Sequence, residues 1–245
     1  MPGLTGRLVA RFPGLERLWF VRIRGDVERA LALHGSPVRY GYLDRNYPME
    51  AYQTAFARVP GSAEMPSAAR PFTRRVVDRL REKGVRIAPI VLHTGLSSLE
   101  VESDELEDQV MYAEPFVVPE ETARAVNEAR ANEGRVIAAG TTVVRALESA
   151  WYAGEVRPAS GFTRLYIHPG RGVHAVDGLF TGFHDPMASH LAMLYSIAGE
   201  EVVRAAYREA VMAGYLWHEF GDSNLILPGL HSIKKDEATT NPGRE

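Results

Sequence analysis

Four short stretches of the chain carry side chains able to do chemistry. In "AAGTTVVRALES" an apolar run ends at Gly140 and passes through Thr141 and Thr142 into a helical pattern bearing Arg145 and Glu148. Free backbone N–H groups at a helix start, beside two hydroxyls, suit an anion or a polar ligand. A threonine N-cap explains the same letters without a ligand. Arg145 and Glu148, three residues apart, read as a surface pair. Neither GxxxxGK[ST] nor GxGxxG occurs here, which argues against a phosphate loop.

In the second stretch, "VDGLFTGFHDPMASH", an apolar strand runs into a turn carrying Asp177, His184 and Asp185, with His190 on the next helix. A histidine beside an aspartate can serve as an oriented acid or base, although Asp185 ahead of Pro186 would equally cap a helix. The six-residue spacing of His184 and His190 does not put both on one helical face, so no metal is expected. Third, His93, Thr94 and Gly95 follow an apolar run. In open α/β sheets ligands gather at such carboxyl ends of strands. Fourth, "YLWHEFGDSNLILP" holds Trp217, His218, Glu219 and Asp222. Its aromatics are expected to seal the core, which leaves Asp222 as the functional candidate.

These residues need elements to position them. Residues 7–23 read as two strands joined at Pro13 and Gly14, and Asp26 and Gly35 bracket a short helix. The segment 36–72 has no clear period, and its tyrosines Tyr40, Tyr42, Tyr47 and Tyr52 argue for packing. A helix capped by Thr73 and ended by Gly84 follows, then a strand over 85–93. A helix starts at Pro119, a strand covers 135–140, and a helix is expected over 141–154. Strands over 162–170 and 174–182, two helices separated by Gly199, and a last strand over 223–228 complete the pattern. Strand and helix alternate through the middle, predicting an α/β core with a mixed, largely parallel sheet. The N-terminal strands suggest a small β subdomain over residues 1–40, with the core over 41–228 and a flexible polar tail over 229–245.

Composition narrows the setting. The 245 residues are 45% hydrophobic and 24% charged, enough to bury a substantial core. With no cysteine there is no disulfide, thiolate nucleophile or cysteine-based zinc site. No apolar run is long enough to span a membrane, and the first residues lack a signal-peptide pattern, so a cytoplasmic protein is expected. The formal net charge of −3 makes the chain as a whole no basic nucleic-acid binder.

Taken together and in order, "YQTAFARVPGSAEMPSA", "VLHTG", "RVIAAGTTVVRALES", "VDGLFTGFHDPMASHLAMLYSIAG" and "AYREAVMAGYLWHEFGDSNLI" resemble the S-adenosylmethionine:tRNA ribosyltransferase-isomerase family of queuosine biosynthesis. The resemblance covers residues 40–228. It implies an α/β core with an inserted β-barrel, of which the N-terminal strands would be a remnant. It also implies transfer of the ribosyl part of S-adenosylmethionine to a 7-deazaguanine base in tRNA, with adenine and methionine leaving. S-adenosylmethionine is then a co-substrate, tRNA the partner, and no metal or redox cofactor is implied. In that context His93, His184 and Asp185 are expected to move protons. Arg145 and Asp222 orient polar groups, and Thr94, Gly140, Thr141, Thr142, Asp177 and His190 contact substrate.

The chain departs from the family pattern in four places, one of them the run Thr94–Ser98, which replaces a glycine-rich run after the histidine of "VLH". Members carry a segment ahead of the barrel. The run from Pro66 to Phe72 lacks a family glycine and histidine, and Met111 is followed by Tyr112 instead of histidine. These departures leave two alternatives open: a non-catalytic or truncated relative binding nucleotide or RNA, and an enzyme of the same type with a small-molecule acceptor.

Overall fold

The computed structural model describes residues 3–13, 15–38, 41, 43, 45–95, 111–184 and 189–229. The chain divides into two compact units, Met1–Tyr52 and Gln53–Glu245. Asp185 and the tail beyond residue 229, both the subject of expectations, lie outside the described residues.

In the first unit, β1 (Thr5–Phe12) and β2 (Leu15–Arg24) form an antiparallel hairpin with two register irregularities. Phe12 and Phe20 stack 5.4 Å apart near its tip. Among the described residues the hairpin forms a two-stranded sheet and not a closed barrel. Helix α1 (Val27–His34) starts as expected, with the Asp26 carboxylate accepting the Arg29 N–H at 2.9 Å. This satisfies one of the four amide donors left free at a helix start.

The second unit begins with irregular chain and a 3-10 turn at Ser67–Ala69, followed by α2 (Arg74–Glu82), whose first turn is capped by Thr73. Then come β3 (Val91–Leu92), β4 (Glu114–Val118), α3 (Glu120–Ala131), β5 (Ile137–Ala139) and α4 (Thr141–Ser149). A small hairpin of β6 (Trp151–Tyr152) and β7 (Glu155–Val156) leads to β8 (Ala159–Thr163) and β9 (Gly178–Gly182). Helices α5 (His190–Ala198) and α6 (Glu200–Met212) and strand β10 (Ser223–Ile226) close the order.

The fold is mixed α/β, but the sheets are not largely parallel. One antiparallel sheet runs β3-β4-β8, and a second runs β10-β9-β5. Among the described residues β5–β9 is the one parallel pairing, with Ile137 opposite Gly178 and Ala139 opposite Phe180. The physical reason is that β4 and β5, on either side of α3, join different sheets. Alternation of strand and helix along the chain therefore does not make a crossover unit at that point.

Two further expectations are corrected. The helix predicted over 141–154 stops at Ser149, because Ala153 and Gly154 both take positive φ (50° and 92°) and turn the chain into the β6–β7 hairpin. The strand predicted over 85–93 pairs only at Val91 and Leu92, just past Pro89, which has no N–H to give a ladder.

The core packs α4 and β9 among Val118, Val126, Ala138, Val156, Ile167 and Leu194. Helix α4 is buried on several faces: Val144, Ala146 and Leu147 sit in the apolar cluster, while Thr141, Arg145 and Glu148 are buried too. Buried polar groups need partners, and those partners define the site.

Candidate active site

Gly140 ends β5 and supplies the turn into α4. Its amide donates to the Phe180 carbonyl at 2.9 Å, which fixes it beside the parallel neighbour β9. Its φ of 110° and ψ of 147° lie where an L side chain is strained. The N-cap of α4 is Gly140 and no side chain caps the helix, so neither Thr141 nor Thr142 is the cap that the sequence allowed. Thr141 is instead the first helical residue and is buried. The first turn of α4 thus starts at the carboxyl ends of β5 and β9, where ligands gather in open α/β sheets.

At the same end of β9 sits a histidine cluster, with His184 buried and His190 and His218 half-buried. The His184 and His190 rings stack with centroids 4.3 Å apart and planes 10° from parallel. The His218 ring meets His184 edge-on at 4.6 Å. His184 Nε2 lies 2.9 Å from Thr181 Oγ1, and the His184 amide donates to the Tyr207 hydroxyl at 3.0 Å. His218 Nδ1 is 3.4 Å from Ser67 Oγ, and its amide donates to the Phe183 carbonyl. Gly182 makes the approach of His218 possible, since a Cβ there would stand 2.4 Å from the His218 Cβ.

The cluster is uncharged at neutral pH. Burial is the leading cause in each case, and the neighbouring imidazoles reinforce it at His184 and His190. The His184 pKa falls well below 6.5, while His190 and His218 are each lowered to about 4. Arg145 adds to the depression at His190. The Tyr207 phenol is pushed up to about 12, chiefly by burial, and keeps its proton. Among the described residues no group of three or more His, Asp or Glu side chains is placed to hold a metal ion.

Arg145 and Glu148 are not the surface pair that their spacing suggested. Arg145 forms a buried ion pair with Glu114, 31 residues earlier on β4, and its Nε donates to the Leu165 carbonyl at 3.2 Å. Its Nη2 is buried and has no hydrogen-bond partner among the described residues. The other Glu114 oxygen accepts the Gly95 amide at 2.8 Å, tying the end of the His93 segment to Arg145. Glu148 turns the opposite way, accepting the amides of His174 and Ala175 at 2.6 Å each and Arg171 Nη1 at 2.7 Å. Burial alone would raise its pKa, but these donors outweigh it and the pKa is lowered.

The remaining expected residues scatter. His93 follows β3, with its ring against Gly61 and Nδ1 3.5 Å from Ser62 Oγ; the same hydroxyl accepts the Thr94 amide at 3.3 Å. Asp177 lies at the opposite end of β9 from His184, where it accepts the Val136 amide at 2.8 Å and stands 3.8 Å from Arg130. That position clips the starts of β5 and β9 together. Asp222 accepts the Leu216 amide at 2.8 Å and its own amide returns to the Leu216 carbonyl at 3.0 Å, closing the loop that carries His218.

Sequence reasoning passed over Glu114, Tyr207, His218 and Glu219. Glu219 is 5% exposed, its Oε2 has no hydrogen-bond partner among the described residues, and its pKa is raised to about 7 by burial and by Glu64. For His218 and Glu219 the one hint was the flanking Trp217 and Phe220, which carry ionisable neighbours inside once the fold packs them.

Comparison with known proteins places these features in context. The family described as "Queuosine biosynthesis protein" matches residues 4–226. The chain is 42% identical over 228 residues to an S-adenosylmethionine:tRNA ribosyltransferase-isomerase of Thermus thermophilus, covering 93% of this chain and 66% of that protein. It is 46% identical over 221 residues to the protein of the same name from Rubrobacter xylanophilus, covering 89% and 64%. The crystal structure of S-adenosylmethionine tRNA ribosyltransferase from Thermotoga maritima superposes with a TM-score of 0.55 at 37% identity, over 66% of this chain and 52% of that one. The chain thus spans just under two thirds of the length of these curated relatives.

Proposed function

The chain belongs to the queuosine biosynthesis protein family, and from that premise we propose that it works as an S-adenosylmethionine:tRNA ribosyltransferase-isomerase. In this reading S-adenosylmethionine is the ribosyl donor, a 7-deazaguanine base in tRNA the acceptor, and the setting cytoplasmic. No helix among the described residues is long and apolar enough to cross a membrane. We read the α/β core within residues 41–228 as the catalytic part and the β1–β2 hairpin as strands of the β-barrel that the family resemblance implies.

The observation that carries the proposal is the uncharged trio of buried His184 and half-buried His190 and His218 beside the start of α4. Ribosyl transfer from a sulfonium needs a group to take a proton from the adjacent carbon and a group to assist departure of adenine. A neutral imidazole has a lone pair free for the first task. Burial makes the imidazolium costly, so a proton accepted there passes on readily. His184 is the central base in this scheme, oriented by Thr181 and stacked on His190. His93 and Asp185 are further proton-transfer candidates. The Gly140–Thr142 turn and the spare Nη2 of Arg145 offer donors for the donor's carboxylate or hydroxyls, and Thr94 neighbours them through Gly95 and Glu114.

The test is direct. Purified protein is incubated with S-adenosylmethionine and tRNA bearing the 7-deazaguanine precursor, and adenine and methionine are measured. Release of both in equal amounts, dependent on tRNA and abolished in His184→Ala, is expected. Absence of release together with absence of S-adenosylmethionine binding by calorimetry would end the proposal.

A further inference from the structure

The positive charge of the chain is not spread evenly. Residues 5–24, the β1–β2 hairpin, carry five arginines and one carboxylate, Glu16, although the whole chain has a formal net charge of −3. Strand register sorts these arginines onto faces. Arg7 stands directly opposite Arg22, and Thr5 opposite Arg24. Cross-strand partners share a face, as do residues two apart on one strand. Arg7, Arg22 and Arg24 therefore project from one side together with Phe20. Leu8, Val21 and Ile23 occupy the other side, where Arg11 lies over the Trp19 ring, 5.2 Å from its centroid. Arg7, Phe20, Arg22 and Arg24 are all exposed. Among the described residues none of these three arginines forms an ion pair. Like charges directly opposite each other weaken a strand pair, so the hairpin's own stability gives no reason for the arrangement.

We infer that the arginine face of this hairpin is an RNA-docking surface, which holds the phosphate backbone of the tRNA substrate. The inference rests on the reading of tRNA as the acceptor. It gives that polyanion a place to bind on a chain whose overall charge is negative. Guanidinium groups grip phosphate oxygens through two parallel N–H donors. Alternate residues of a strand lie about 7 Å apart, close to the separation of successive phosphates along a nucleic-acid strand. Arg22 and Arg24 can therefore meet neighbouring phosphates while Arg7 reaches the backbone beside them. Phe20, half exposed and stacked on Phe12 at 5.4 Å, offers a ring surface to an unpaired base or a ribose. Such contacts hold and orient the RNA without reading its bases. A membrane-binding face would set several apolar side chains beside its basic ones. Here Leu8, Val21 and Ile23 lie on the opposite side, which favours RNA.

The salt dependence of tRNA binding tests this. Fluorescence anisotropy of labelled precursor tRNA with the full chain is measured between about 50 and 200 mM salt. The hairpin variant combines Arg7→Gln, Arg22→Gln and Arg24→Gln. A control combines Arg81→Gln, Arg157→Gln and Arg204→Gln, exposed arginines of the second unit that each pair with a carboxylate. The two variants change the net charge equally. The hairpin variant should bind at least about tenfold more weakly at the lowest salt, with a log–log slope shallower by about 2–3, because each lost phosphate contact removes its share of counterion release. Arg22→Gln alone should lower the slope by about 1. The control should stay within about twofold of wild type, since its charges are screened beyond a Debye length. Affinity for S-adenosylmethionine should be the same in every variant, and thermal unfolding checks that each is folded. Equal losses in the hairpin variant and the control, or an unchanged slope, overturn the inference while the tRNA reading stands. Loss of binding to anionic phospholipid vesicles with tRNA affinity intact would assign the face to a membrane and equally overturn it. A wild-type protein that binds no tRNA removes both.

Discussion

His184 and His190 stack face to face with ring centroids 4.3 Å apart, and burial keeps both uncharged. Two imidazoles so close cannot both be protonated in a dry site, because the like charges would repel without solvent to screen them. The pair, with His218 at its edge, therefore links the protein's stability to pH.

His190 and His218 titrate at about 4 when folded, and His184 also lies well below its usual value of 6.5. Between those values the unfolded chain binds protons that the folded one does not. The stability tied to each histidine is therefore intact above pH 6.5 and lost as pH falls toward 4. Glu219 acts in the opposite sense: at about 7 folded against 4.5 as the ordinary value, it holds a proton that the unfolded chain lacks, which favours the fold as pH drops below 7. Three histidines against one carboxyl leave a net loss on acidification, each group contributing at most about 1.4 kcal/mol per pH unit. Urea midpoints at pH 7, 6 and 5 should fall, less steeply in His190→Asn and more steeply in Glu219→Gln. A flat wild-type series would contradict the burial of the cluster.

The Arg145–Glu114 pair is buried on both sides. Removing one partner strands a charge in the core, and Glu114→Ala should cost about 3–5 kcal/mol. The Gly95 amide loses its acceptor as well. Replacing both by apolar residues of similar volume, as in Glu114→Leu with Arg145→Met, should restore much of the stability while leaving the protein unable to bind S-adenosylmethionine. Denaturant unfolding of the single and double variants checks this, and an unaltered midpoint in Glu114→Ala would refute it.

The two threonines after Gly140 separate a structural from a functional turn. Because Gly140 itself is the cap, Thr142→Ala removes no capping bond, whose loss would otherwise cost about 0.5–2 kcal/mol. The melting temperature should scarcely change while S-adenosylmethionine affinity drops. Thr141→Ala empties a buried position and should lower both. Unchanged affinity in both variants returns the turn to a purely structural role.

Much of the frame was legible in the letters. Asp26, Thr73, Pro119 and Gly199 mark helix boundaries where they stand, because capping and breaking are local effects. The glycine turn at 140 and the histidine segment after β9 were likewise readable as turns that follow strands, although the pairing of those strands was not. What escaped was set at a distance. The i,i+3 spacing of Arg145 and Glu148 does not say which face of α4 is inside, and the true partner Glu114 lies on another sheet. Asp177 and Asp222 looked free because their backbone partners, Val136 and Leu216, are fixed only by the folded strands and loop. Glu219 was hidden for the same reason: its burial follows from where Trp217 and Phe220 pack.

The central claim is that the ribosyl part of S-adenosylmethionine, and not its methyl group, leaves for tRNA. The most direct measurement supplies the purified chain and precursor tRNA with S-adenosylmethionine labelled either in the ribose carbons or in the methyl group, and counts label in the recovered tRNA. Ribose label should enter the tRNA in proportion to adenine released, and methyl label should remain with free methionine. Methyl label in the tRNA, or adenine release with no ribose label transferred, would contradict the account.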